Sequence, residues 1–365
     1  MKVRDVCRVV DDLAPPSLAY SWDKVGLQVG DPDAPISSVL VALTVTRATF
    51  DAAREVGAEM IVSHHPVIFE PLKALRTDEP STRLCLDIAE AGIACYVAHT
   101  NLDIAPGGVN HALAERLGLV DTAPLFPSDV VALVKLVTFV PESHVDAVRR
   151  AVCEAGAGVI GEYTYCTFSA PGKGTFRPSA DAQPFSGERL TLNEEPELRF
   201  ETLVPKTCAG AVVEALKHAH PYEEVAYDLV TLENRDASIG LGLEGNLAEP
   251  MTLRAFAAYV RERLELTHVR VAGDLERRVR RVGVVGGSGG SEIVRAAGRV
   301  DVYLTGDIKY HDALEAVCRD LAIVDAGHAG TEKWIVPRLA DYLRPRLDSV
   351  RVEAFVEPEV FTVVV

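Results

Sequence analysis

Short apolar runs in this chain keep ending on residues that carry chemistry, and that pattern restricts the fold more than any other feature. Met60-Ile61-Val62 passes directly into Ser63-His64-His65-Pro66, and Ile93–Val97 is followed by His99-Thr100-Asn101-Leu102-Asp103. Further on, Asp301–Leu304 leads to Thr305-Gly306-Asp307, and Leu321–Val324 to Asp325-Ala326-Gly327-His328. Runs this short, rich in β-branched residues and closed by turn formers, read as strands buried on both faces. Ser38–Leu43 and Arg281–Val285 read the same way, and Val350–Phe355 follows as a further strand. Stretches of helical period separate them: one through Phe50, Ala53 and Val56, then Arg83–Ala91, Val109–Leu117, a helix from about Asp312, and one through Trp334, Val336, Leu339 and Tyr342. Strand and helix alternating at this spacing predict a mostly parallel sheet covered by helices. Ligands of such sheets collect outside the carboxyl ends of the strands.

The middle of the chain breaks this rhythm. It offers Leu133–Val140, a helix from Val145 through Val152, and a Gly-, Ser- and Pro-rich stretch from Ala170 to Gly187. Glu197–Val204, a helix through Val213, Leu216 and Lys217, and Val225–Val230 come next. Strand–helix–strand–strand–helix–strand is the ferredoxin-like order. The expectation is an α/β domain split into residues 1–126 and 237–365 around a ferredoxin-like α+β insert at 127–236. A chain of 365 residues has material for two or three such domains.

Charge narrows the partners. There are 37 basic against 53 acidic residues, net −16, which repels nucleic acid at long range, and no basic stripe overrides it. Small anionic substrates stay open, because a metal ion or a helix N-terminus reverses the local field. Seven cysteines without a Cys-x-x-Cys pair argue against a disulfide framework or thiolate zinc site, and for a reducing, cytoplasmic setting. No run reaches the ~18 to 20 apolar residues of a membrane span, and Met1–Val6 has no apolar signal core, so no membrane association is expected.

His64 and His65 are adjacent in extended chain, so their side chains leave on opposite sides, and Pro66 keeps His65 out of helical geometry. Two imidazoles so placed suit two ions side by side, about 3.5 to 4 Å apart, better than one ion. His328 and Glu332 lie four apart where a helix begins, on one face, and the carboxylate's two oxygens can bridge a pair of ions. With Asp103 they complete a three-histidine, two-carboxylate set suited to divalent zinc, manganese, iron, cobalt or nickel. Ordinary structural roles compete: turn histidines, a Glu332 that complements a helix dipole, an Asx turn at Asp103. His99, Asp307 and His311 are further candidates, with His99 or His311 as proton donor or as support for a ligand. The Gly286–Ser291 turn offers backbone N–H groups to a phosphate, although it lacks a dinucleotide or P-loop fingerprint. His218, His220, Glu223 and Glu224 mimic a second cluster, yet more simply shape the end of a helix.

Several of these segments together resemble one family. Ser21-Trp22-Asp23-Lys24-Val25-Gly26-Leu27-Gln28-Val29-Gly30, Ser63–Pro66, His99–Asp103, Thr305–His311 and Gly327–Glu332 are similar to the Nif-three-like dinuclear metal proteins, also known as type-two homologues of GTP cyclohydrolase I. The resemblance covers essentially the whole chain. Its middle, with Tyr163–Cys166, Gly172–Phe176 and His220-Pro221-Tyr222-Glu223-Glu224, resembles the longer bacterial members, which carry a PII/CutA-like insert. The resemblance implies two divalent ions held by His64, His65, Asp103, His328 and Glu332, with Glu332 as the bridge. It implies a ring-shaped homohexamer whose metal sites face an internal cavity, and a reaction that opens the guanine ring of GTP on the way to dihydroneopterin triphosphate. Lys24 stands where an asparagine is usual in that family, and Thr331 where serine is commoner. Two functions follow as expectations: a metal-dependent hydrolase of a nucleotide-like or phosphorylated small molecule, or a non-enzymatic metal-storage or regulatory toroid.

Overall fold

Apolar runs without polar interruption form interior strands, because their amides pair along a sheet while both faces are covered. A computed structural model describes residues 1–128, 132–235 and 239–362, so the expected break at 236/237 lies outside the described residues. The chain divides into two units, Met1–Val130 with Ala237–Val365, and Val131–Asp236. The first part of the larger unit runs α1 (Val3–Leu13), β1 (Gly26–Val29), β2 (Ser38–Ala42), α2 (Arg47–Glu55), β3 (Met60–Ser63), α3 (Pro80–Glu90), β4 (Ala94–Val97), α4 (Thr100–Ile104), α5 (Val109–Arg116) and β5 (Val120–Pro127). The smaller unit contains β6 (Ala132–Val140), α6 (Val145–Glu154), β7 (Thr167–Phe176), β8 (Asn193–Pro205), α7 (Ala209–Ala219) and β9 (Tyr227–Arg235). The larger unit then resumes with β10 (Gly240–Thr252), α8 (Leu253–Arg263), β11 (Arg270–Ala272), β12 (Arg278–Ser288), α9 (Ile293–Ala296) and β13 (Val302–Gly306). It ends with α10 (Tyr310–Cys318), β14 (Ala322–Asp325), α11 (His328–Glu332), α12 (Ile335–Leu343) and β15 (Arg351–Phe355).

The larger unit holds two sheets. One has the order β1-β4-β3-β2-β15, parallel throughout except for β1 at the edge. The other has the order β11-β14-β13-β12-β10-β5, in which only β12, β13 and β14 run parallel. The expectation of a mostly parallel architecture thus describes the first sheet, while the second is mixed. No strand was expected at Gly240–Thr252. Its glycines serve close approach: a Cβ on Gly240 would lie 2.3 Å from the Phe126 carbonyl oxygen. The last strand, β15, does not extend the second sheet but pairs with β2, from Arg351 against Ser38 to Phe355 against Ala42.

Cores follow the sheets. Leu40, Ile61 and Cys95 pack with Phe50, Ala53 and Ile88. Leu113 and Leu117 of α5 join Phe256 and Val260 of α8 over Val282, Val284, Leu304 and Val324. Val285, Tyr303 and Ile323 cover the opposite side with Ile293 and Ala316. Helix α5, from the first part of the chain, therefore belongs to the core of the second sheet.

The smaller unit is an antiparallel sheet of order β7-β8-β6-β9, with α6 and α7 packed on Leu136, Val140, Phe200 and Val204. Strand β7 continues through Pro171-Gly172-Lys173-Gly174, which sequence composition assigns to irregular chain. An edge strand tolerates those residues because one row of its amides needs no partner. Among the described residues no helix is long and apolar enough to cross a membrane.

Leu113 is fully buried where α5 meets the second sheet. Replacing it with Ala should lower the unfolding free energy by about 2–5 kcal/mol, read from denaturant titration.

Candidate metal centre

Strand ends of both sheets in the larger unit deliver the chemically active side chains. His64 and His65 follow β3 at once, Asp307 follows β13, and α11, which carries His328 and Glu332, opens just after β14. Asp103 sits in α4, one short turn beyond β4.

Glu332 is the centre of the cluster, with only 3% of its surface exposed. Its Oε1 lies 3.6 Å from His64 Nε2, while its Oε2 lies 3.0 Å from His65 Nε2 and 3.1 Å from His328 Nε2. The His65 and His328 Nε2 atoms are 3.3 Å apart, and His64 Nε2 is 3.6 Å from Asp103 Oδ1. Two ligands that are each ~2.1 Å from a tetrahedral ion are themselves about 3.4 Å apart, so these separations suit donors sharing a cation. His64 Nε2 and Asp103 Oδ1 are both buried without a hydrogen-bond partner. Orphaned buried polar atoms are costly, and these two, 3.6 Å apart, have the donor chemistry of ligands to one cation. His64, His65 and Glu332 form a candidate metal-binding triad.

Each imidazole is oriented from behind. His64 Nδ1 donates to the Ala98 carbonyl at 2.9 Å, His65 Nδ1 pairs with Thr44 Oγ1 at 2.7 Å, and His328 Nδ1 donates to Asp307 Oδ2 at 2.7 Å. With Nδ1 spent on a hydrogen bond, Nε2 of all three rings is left for the cluster. Asp307 thus holds a histidine, from a backbone with φ of 57°, a left-handed conformation that aspartate tolerates better than most residues. His99 stands beside the cluster, its ring centroid 5.3 Å from that of His64, and its Nδ1 is 3.0 Å from Asp23 Oδ1. His311 is exposed on the first turn of α10 with its ring against Tyr310, and among the described residues no hydrogen bond or ion pair ties it to the cluster.

Electrostatics follow from this packing. Burial opposes charge on His64, but Asp103 and Glu332 outweigh it and push the imidazole up to about 9. The Glu332 hydrogen bond, with Asp307 behind, also pushes His328 up to about 9. Burial alone would raise Glu332, yet hydrogen bonds from His328 and His65 and the charge of the nearby His64 hold it well below the usual carboxylate range. Burial lowers His65, with charge on His64 and His328 acting in the same direction. Asp23 is likewise held far below its ordinary value, because bonds from His99 and Thr100 outweigh its burial.

Some contributors were not visible in the sequence. Asp23 accepts from the Thr100 N–H and Oγ1 as well as from His99. Asn110 donates to the Asp103 carbonyl at 2.8 Å and accepts the Gly286 N–H at 2.9 Å, tying a candidate ligand to β12. The Gly286–Ser291 segment corrects an expectation. Gly286 to Ser288 belong to β12, and the Gly286, Gly287 and Gly289 amides already donate to Asn110, Thr331 and Thr305. The helix that follows has only four residues, so no phosphate cradle is built there. These glycines make room for the cluster: with φ of +68°, a Cβ on Gly287 would sit 2.2 Å from Glu332 Oε1 and 3.3 Å from His328 Nε2. Thr331 supplies the hydroxyl that accepts the Gly287 N–H. In the smaller unit, His220 accepts the Tyr222 N–H and donates to the Phe139 carbonyl, and His218 Nδ1 donates to the Glu214 carbonyl. Those histidines finish a helix, and among the described residues they join no cluster of candidate metal ligands.

Comparison with known proteins gives the chain's relatives. Residues 1–359 match the Duf34/NIF3 (NGG1p interacting factor 3) family. A protein named GTP cyclohydrolase 1 type 2 homolog from Halalkalibacterium halodurans is 44% identical over 324 residues, 88% of this chain and 87% of that protein. Its namesake from Bacillus subtilis is 43% identical over 326 residues, 89% of this chain and 87% of the other. The crystal structure of a Bacillus cereus protein related to NIF3 superimposes with a TM-score of 0.87 at 40% identity, covering 100% of this chain and 99% of that one.

Two outcomes follow for metal loading. Gly287→Ala should sharply lower bound metal, measured by elemental analysis, while the circular dichroism spectrum is kept. In metal-free protein, His64 and His328 hold protons up to about pH 9, and these must leave before Nε2 can face an ion. Affinity for added zinc or manganese should therefore fall as pH drops from 9 to 6. Calorimetry in buffers of differing ionisation enthalpy should show proton release at pH 7 that vanishes above pH 9.

Proposed function

Because the chain belongs to the Duf34/NIF3 family, we propose that it is a metal-dependent hydrolase with two divalent ions, held by His64, His65, Asp103, His328 and Glu332. The division of Glu332 carries this reading. Oε1 faces His64, itself beside Asp103, and Oε2 faces His65 and His328, so one carboxylate joins two groups of donors. Imidazole and carboxylate donors suit zinc, iron, manganese, cobalt or nickel. Ions on such a set activate water and polarise a substrate oxygen or ring.

The chain's own residues do the rest. Glu332 supplies negative charge shared between the two groups. Asp307, Thr44 and the Ala98 carbonyl fix the rings of His328, His65 and His64, so no reorientation is needed when ligands change. His99, the better placed of the two histidine candidates, carries a proton to or from the substrate. Asp23 fixes the ring of His99 through the contact at Nδ1. The substrate is a nucleotide-like or phosphorylated small molecule, with GTP as first candidate from the name its relatives carry.

The insert is a ferredoxin-like module of the PII/CutA type, a reading supported by its β9-β6-β8-β7 order. Copies of the chain assemble as a homohexameric ring in the cytoplasm.

Metal-loaded protein screened against GTP, phosphoesters and cyclic amides should show turnover. Glu332→Gln should lose metal and activity together. His99→Ala should keep its metal and lose about 10²- to 10⁴-fold in kcat. Ready metal exchange with no turnover on any of these substrates would favour the storage reading.

A further inference from the structure

Aromatic side chains are scarce in this chain, 6% of residues, yet three of them gather at the surface beside the metal cluster. Trp22 is 57% exposed and Phe69 50% exposed. Trp22 stacks on Tyr20 with centroids 5.8 Å apart and planes 13° from parallel, and meets the Phe69 ring edge-on at 6.2 Å. Both Trp22 and Phe69 also meet His99 edge-on, at 6.4 and 6.3 Å. His99 in turn lies 5.3 Å from the His64 ring and 6.0 Å from the His65 ring. The exposed rings therefore begin one imidazole away from the candidate ligands.

These rings are not loose surface groups. Asp23, next to Trp22, is locked to His99 and Thr100, and its N–H donates to the Tyr20 carbonyl at 2.9 Å. Gln28 clamps the backbone beside Phe69: its Oε1 accepts the Ile68 N–H at 2.8 Å, and its Nε2 donates to the carbonyls of Ile68 and Lys24. Large apolar rings exposed to water bring nothing to the fold, whereas rings fixed in place before a ligand arrives lower the entropy cost of binding it. Flat faces with edge-on neighbours are the geometry that receives another flat ring.

Resting on the hydrolase reading, we propose that Tyr20, Trp22 and Phe69 form a stacking ledge that seats the planar heteroaromatic ring of the substrate beside the metal centre. His99 lies at the inner end of the ledge, where the edge of a stacked ring meets a hydrogen-bonding group. Discrimination between substrates of like charge then rests on the ring and not on the phosphates.

The chain has two tryptophans, so Trp334→Phe leaves Trp22 as the only indole reporter. In that zinc-loaded protein, GTP should quench Trp22 emission to saturation, and tripolyphosphate at equal concentration should not. Trp22→Ala should weaken GTP binding by about 5- to 150-fold in calorimetry, with zinc content unchanged and most affinity recovered in Trp22→Phe. Phe69→Ala should weaken it in the same direction. The ledge is refuted if tripolyphosphate quenches as well as GTP, or if both alanine variants bind GTP like the parent. It is also refuted if acrylamide cannot reach Trp22, because copies of the chain then cover it. Turnover is a separate readout. Saturable ring binding without hydrolysis removes the hydrolase reading and leaves the ledge, whereas GTP turnover with unchanged KM in Trp22→Ala removes the ledge alone.

Discussion

A buried carboxylate facing three imidazoles is the interaction on which this structure turns. Glu332 has left water almost completely, and a charge in that position is stable only if its surroundings return what hydration supplied. His64, His65 and His328 do so from three directions. In metal-free protein they answer the charge with protons on His64 and His328. A divalent cation answers it better, since it also satisfies His64 Nε2 and Asp103 Oδ1, which the polypeptide leaves unpaired. The site is thus stable enough to persist while retaining a deficit that favours metal.

Meeting that demand shapes residues far from the ligands. Gly287 lacks a side chain because the Glu332 carboxylate occupies the place of its Cβ. Asn110 links α5 to β12 through the Asp103 carbonyl and the Gly286 amide. The α5 helix that carries it packs into the core under the second sheet, so the alignment of Asp103 is braced by apolar packing as well as by hydrogen bonds.

Much of this was legible in the chain itself. Apolar runs such as Met60–Val62 and Leu321–Val324 announced buried parallel strands, and the histidines and acids after them fell where such strands present ligands. What stayed hidden depends on contacts between distant segments. Asp23 stands in the sequence only as one residue of the Ser21–Gly30 segment, and its role appears when the chain beyond β4 brings His99 and Thr100 against it. Gly287 reads as a turn former, although it lies within a strand and makes room for a neighbour. Asp307 was seen as an acid near a site, but its role as an anchor for His328 needed a measured distance.

The pairing of β15 with β2 sets a temporal order on assembly. The first sheet receives its outermost strand from residues 351–355, more than three hundred positions after the partner it sits beside. The first sheet therefore keeps an open edge beside β2 until that strand is in place, and His64 and His65 emerge from the ribosome long before Glu332 does. Contacts of such long sequence separation are intrinsically slow to form.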